Sequence, residues 1–163
     1  MAARTQRRNL GALPPRFKFF LNPYRDARFT TSCPGCGGRI KQRKLPLAVH
    51  IDDWGMVIMN KTCRFCPGCD LLIAHQDEIE SLLAALLERL APSVIGNKYL
   101  VVGTVERGPW RRGLTQPLTP QETIAALHDF RDHVRYQPAQ QWVRDVPADR
   151  TGKPRQAPCV GTP

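Results

Sequence analysis

A chain of 163 residues holds one domain of ordinary size, and its 15 prolines and 12 glycines exclude a compact bundle over the whole length. No apolar run approaches the roughly 20 residues of a membrane span, and residues 1–16 lack the apolar stretch of a secretory leader, so a cytoplasmic protein without a membrane partner is expected. Lys and Arg number 24 against 14 Asp and Glu, a formal net charge of +10 that favours polyanions over acidic partners.

That charge is concentrated at the start. Residues 1–50 carry Arg4, Arg7, Arg8, Arg16, Lys18, Arg25, Arg28, Arg39, Lys41, Arg43 and Lys44 against the single acid Asp26, while 51–163 hold equal numbers of both signs. The asymmetry predicts a basic arm over 1–32 joined to an electrically balanced folded part. Within it, Phe17, Phe19, Phe20 and Leu21 form a short aromatic run that reads as a strand or a docking segment, stopped by Asn22-Pro23.

Six cysteines follow, and their grouping decides their chemistry. Cys33-Pro-Gly-Cys36 and Cys66-Pro-Gly-Cys69 each separate two thiols by two residues, the spacing at which a tight turn aims both sulfurs at one ion about 2.3 Å away. Two such turns complete a tetrahedron, and the 29 residues between them suffice for a β-hairpin that brings them together. Disulfides need an oxidising compartment, and a redox pair needs a βαβ setting that is missing. The expected cofactor is one structural zinc on Cys33, Cys36, Cys66 and Cys69. Cys63-Arg-Phe-Cys66 has the same spacing and remains an alternative pair, although Cys63 shares a period-two face with Val57, Met59 and Phe65, as a buried apolar residue would. His50 and His75 flank the region and read as core or supporting residues, because zinc prefers the thiols available. Cys159 stands alone in the tail.

Residues 33–75, two Cys-Pro-Gly-Cys knuckles at the ends of a hairpin, resemble a zinc ribbon. Together with Phe19-Phe20-Leu21-Asn22-Pro23-Tyr24 before and Leu71-Leu72-Ile73 after, the pattern is similar to bacterial zinc-ribbon proteins without an assigned activity. The resemblance implies metal and architecture but no task, since zinc ribbons serve many.

Between the knuckles, Leu45, Leu47, Val49 and Ile51 alternate as a half-buried strand, Asp52-Asp53-Trp54-Gly55 turns, and 56–59 return. Arg39, Lys41 and Arg43 precede that strand at one parity, displaying three cations on one face until Pro46 disturbs the register. From Asp77 the period becomes helical: Ile79, Leu82, Leu83, Leu86, Leu87 and Leu90 make a stripe, with Asp77 as cap, Glu80 as its partner and Pro92 beyond the end. Residues 99–105 read as a strand. Trp110-Arg111-Arg112-Gly113 reads as a turn, stacking on bases being the other use of two arginines beside an indole. Thr119-Pro120-Gln121-Glu122 opens a second helix predicted to run to about Tyr136, burying Ile124, Leu127, Phe130 and Val134. On it, His128 with Asp132 and Asp129 with His133 would be i, i+4 pairs, read as a solvated face over a second metal site. Five prolines after Gln137 predict an unfolded tail over 138–163.

The expected fold is therefore α+β: a zinc-ribbon hairpin over 33–75, a helix–strand–helix extension over 76–137, and flexible ends. The expected function is non-enzymatic: a zinc-binding protein that contacts nucleic acid, DNA or RNA, or a nucleoprotein complex, through Arg16, Lys18, Arg39, Lys41, Arg43 and Lys44. The competing reading is an assembly module in which the ribbon and residues 17–21 dock on a protein partner.

Overall fold

The computed structural model describes residues 9–137; the predictions for Arg4, Arg7, Arg8 and the 138–163 tail, with Cys159, lie outside the described residues. The chain is α+β. Its strands are β1 (Lys18–Asn22), β2 (Lys41–Ile51), β3 (Gly55–Cys66), β4 (Leu71–His75), β5 (Tyr99–Val105), β6 (Leu127–Asp129) and β7 (Asp132–His133). Its helices are α1 (Gln76–Leu90), α2 (Arg107–Gly113) and α3 (Pro120–Ala125), with a 3-10 turn at Pro92–Val94.

The alternating stretch at 45–51 forms the expected hairpin. β2 and β3 pair antiparallel without interruption from Lys41↔Phe65 to Ile51↔Gly55, around a turn in which Asp53 takes the left-handed conformation that Asp tolerates. Pro46 does not disturb this ladder. It pairs with Asn60, and β5 begins to pair with the other side of β2 only at Leu47, so the missing N–H faces no partner strand.

The strand order is β6-β5-β2-β3-β4-β1-β7, and the two outermost strands are separated in sequence only by Phe130 and Arg131. A sheet whose opposite edges are joined by two residues has curled until those edges meet. The Phe130 N–H donates to Val102 O on one side, and the N–H groups of Arg131 and Val134 donate to Phe17 O and Phe19 O on the other. Closure satisfies backbone groups that an open edge would expose. The inner face holds one cluster drawn from strands all round the sheet, with Phe17, Phe19, Leu47, Val49, Leu72, Val101 and Phe130, into which α1 lays Ile79, Leu83 and Leu87. Phe19 and Phe130 stack across the seam at 4.3 Å. Gly103 makes the closure geometrically feasible: a Cβ there would stand 1.9 Å from the His128 carbonyl oxygen of β6.

Four expectations are corrected. The capping box at Thr119 and Glu122 is present, but α3 stops at Ala125 and residues 127–129 and 132–133 are strands. The spaced residues Leu127, Phe130 and Val134 serve three different clusters instead of one helical stripe, because the sheet edges require a strand there. Asp77 does not cap α1; His75 occupies that position without a side-chain bond, and Asp77 is ion-paired to Arg28. Residues 110–113 belong to helix α2. The arm is not outside the fold from residue 10 onward: Ala12 and Leu13 donate to Ile124 O and Leu127 O, and 17–21 is not a docking segment, since Phe17, Phe19 and Phe20 are 2%, 1% and 1% exposed.

Candidate metal centre

The first knuckle, Cys33 to Cys36, lies in the stretch between β1 and β2, and the second joins the end of β3 to the start of β4. Neither is held by a helix. The first folds around its own sulfurs: the Gly35 N–H donates to Cys33 Sγ at 3.3 Å and the Gly38 N–H to Cys36 Sγ at 3.3 Å. Glycine fits this approach, since a Cβ on Gly38 would lie 3.1 Å from the Cys36 sulfur. A one-residue bridge between Ser32 and Arg39 closes the loop that carries the first knuckle.

Because β1 pairs parallel to β4, the chain leaving β1 returns past the β3–β4 turn, and the two knuckles meet. The sulfurs of Cys33, Cys36, Cys66 and Cys69 all lie within 4.8 Å of one another. Cys36 and Cys66 are 3.5 Å apart and Cys33 and Cys69 3.9 Å apart. Four sulfurs at tetrahedral vertices about 2.3 Å from one ion are separated by about 3.8 Å, so the donor set is close to the size that one metal ion requires. No disulfide joins them. Among the described residues this is the one place where three or more metal-binding side chains converge.

The electrostatics of the bare thiols are those of a site that wants a cation. The Gly38 N–H and neighbouring thiols draw the Cys36 thiol down to about 7. Cys36 then pushes Cys69, with burial adding to it, up to about 12, and burial raises Cys66. One negative sulfur opposes the next until a divalent ion displaces the protons.

Cys63 is elsewhere. At odd parity on β3 it faces the inner cluster, 2% exposed, with its sulfur 3.7 Å from Lys61 O, and burial pushes its thiol up to about 12. The alternative pair Cys63–Cys66 is excluded by the pleat, which points residues three apart to opposite faces. His50 is exposed beside Asp52, and the buried His75 accepts from the Asn22 amide at 3.2 Å; neither joins the sulfurs.

The i, i+4 pairs of the second helix are dissolved. His128 lies between Pro14 O and the Glu106 carboxylate, Asp129 accepts from the N–H groups of Leu10 and Gly11, and His133 faces Val101 O. These contacts fasten the seam of the sheet.

The six nominated cations divide between two faces. Lys41 and Arg43 share the inward parity of β2 beyond the packed interior, where the Arg43 guanidinium covers the rings of Phe17 and Phe65 at 5.6 and 5.1 Å. Arg16 covers Phe17 from 4.9 Å. Lys44 points to the outer face, and Arg39 and Lys18 are exposed. None of the six makes an ion pair among the described residues, whereas Arg28, Lys61 and Arg131 are paired with Asp77, Glu78 and Asp70.

Two participants escaped the sequence reading. Tyr136 reaches over the first knuckle, so close that a Cβ on Gly35 would come within 2.7 Å of its hydroxyl, and it packs edge-on against Phe20. Lys61, on the inner face of β3, is buried with its ammonium held by Glu78 and Thr62 O. A tyrosine placed at the end of a predicted helix gave no signal for the first; a lysine in an apolar alternation was the available signal for the second.

No protein-family model, no curated protein and no solved structure matches this chain. Among the described residues no helix is long and apolar enough to cross a membrane.

Proposed function

We propose that the four cysteines hold one structural zinc ion and that the protein is a non-enzymatic, cytoplasmic nucleic-acid-associated protein acting through its basic N-terminal third. The observation that carries the zinc reading is the convergence of four thiols, spaced as two Cys-Pro-Gly-Cys turns, within 4.8 Å. An all-thiolate tetrahedral set is a soft site that suits zinc and leaves no open position for a substrate, which favours a structural over a catalytic ion. Nucleic-acid association is supported by charge: the six nominated cations have no carboxylate partner among the described residues, in a protein of net +10.

Fluorescence-anisotropy titration of a labelled oligonucleotide across a salt series tests this. Affinity should fall with a log–log slope of about −0.7 to −0.9 per phosphate neutralised. Replacing Arg39, Lys41 and Arg43 together by Glu should weaken binding at least tenfold; affinity indifferent to salt and to those changes would defeat the reading.

A protein-assembly role is the second reading. An apolar groove of about 800 Å³ between the β2–β3 turn and α2–α3, with Trp54, Leu90 and Leu114 exposed, favours it. Copurification of a protein partner that persists after nuclease treatment separates the two.

A further inference from the structure

The fold brings together three pieces of sequence that no spacing connects. Lys44 and Pro46 lie on the outer parity of β2, and Asn60 sits opposite Pro46 on β3. The chain then passes through α1 and β5 before α2 returns to the same face with Arg107, Trp110 and Arg111. An Arg107 Nη2 hydrogen bond to Lys44 O, 2.8 Å long, fastens α2 to β2. These six residues line one pocket of about 180 Å³.

Its chemistry is specific. Three cations, one carboxamide and one indole line it, with no carboxylate, and none of the three cations is ion-paired among the described residues. Trp110 is half-buried, packed against the cluster of Ala48, Val105 and Leu127, and also lines the pocket. An indole fixed by packing loses little freedom on stacking, guanidinium groups hold phosphate oxygens through paired N–H bonds, and a carboxamide both donates to and accepts from a base edge.

We infer that this pocket takes one nucleotide unit of single-stranded nucleic acid, its base on Trp110 and its phosphate between Lys44, Arg107 and Arg111. The inference rests on the nucleic-acid reading above and sharpens it. A duplex keeps its bases stacked on one another and offers a side chain in such a recess only phosphate, whereas an unpaired base can be splayed onto the indole. Trp110 thereby gains the stacking role, and Arg111 beside it a phosphate contact, in place of ornaments on a turn.

The test uses the full chain and single-stranded uridine and thymidine oligomers about twelve nucleotides long, with matching duplexes and a polyglutamate of similar charge as controls. Trp110→Leu keeps apolar packing and removes the aromatic face; Trp110→Phe keeps both. Single strands should bind more tightly than duplexes or polyglutamate. Trp110→Leu should weaken single-strand binding by about tenfold, Trp110→Phe should recover most of it, and Arg111→Ala should lower the salt slope by about one contact. In a Trp54→Phe, Trp142→Phe background, emission from Trp110 should be quenched by the single strand. If the wild type binds single strands and Trp110→Leu binds them equally well, or if duplex or polyglutamate binds as tightly, the pocket assignment is wrong while charge-driven binding stands. If the wild type binds no oligonucleotide, both fall.

Discussion

The interior beneath α1 and the end that carries the knuckles are held together by different means. The interior is a closed layer of large side chains: Leu47, Val49, Leu72, Ile79 and Phe19 are almost wholly inaccessible, and strands of 11 and 12 residues satisfy each other's backbone. The knuckle end has only a small cluster around Phe20, Ile40, Leu71 and Ile73, beneath an irregular stretch of eighteen residues, 23–40. A segment of that length without regular structure needs an anchor other than backbone pairing. The comparison teaches that an ion on the four cysteines would not stand in for the core of the whole protein. It would stand in for the core that the 23–40 loop lacks, beside the packed pair Phe20 and Tyr136.

The largest expected effect follows from removing the ion. Structural zinc binds with an apparent free energy of order 10 kcal/mol, and here that free energy acts locally. Chelation should abolish hydrogen-exchange protection in 23–40 and at the Val134 amide, while β2, β3 and β5 keep theirs. Uniform loss of protection would erase the distinction between the two regions. Phe19→Ala attacks the other side. It should cost about 3–5 kcal/mol in denaturant unfolding, since it removes a fully buried ring stacked on Phe130, yet leave one zinc per chain by elemental analysis. Loss of zinc in that variant would mean that the knuckles depend on the interior.

Cys63→Ala sharpens the boundary, because Cys63 and Cys66 lie three residues apart on β3 but on opposite faces. It should cost about 1 kcal/mol as a small buried group and retain the metal, whereas Cys66→Ser should lose it. The smallest effect concerns the Arg28–Asp77 pair, which ties the irregular loop to α1. Arg28 holds the Asp77 carboxyl down at about 2 from an ordinary 3.8, so its contribution is complete above 3.8 and fades as pH falls through 2. The pair is partly exposed and the effect is modest; melting temperatures of wild type and Asp77→Asn should converge as pH is lowered across that window.

Local patterns in the sequence were reliable where one element meets one surface. The period-two run at 45–51, the Thr119 capping box and the four-cysteine set are where their spacing places them, and of the α1 stripe Ile79, Leu83 and Leu87 are buried while Leu82 and Leu90 are exposed. Cys63 was legible for the same reason, parity being a property of the strand alone. What could not be read were features fixed by closure of the sheet. Nothing local distinguishes Leu127, Phe130 and Val134 from a helical stripe, and only the presence of two unpaired edges makes 127–129 and 132–133 strands. The aromatic run at 17–21 reads equally as a strand or a docking segment, and it is the pairing with β4 and β7 on either side that makes it strand β1. Convergence of Trp110 with Lys44 depends on where β5 delivers α2, which no spacing encodes.

X-ray absorption at the zinc edge of the protein purified without tags or added metal tests the central claim most directly. The account predicts one zinc per chain with four sulfur neighbours at about 2.3 Å. A spectrum showing nitrogen or oxygen neighbours, or a protein with no metal whose four sulfurs are joined as disulfides, would contradict it.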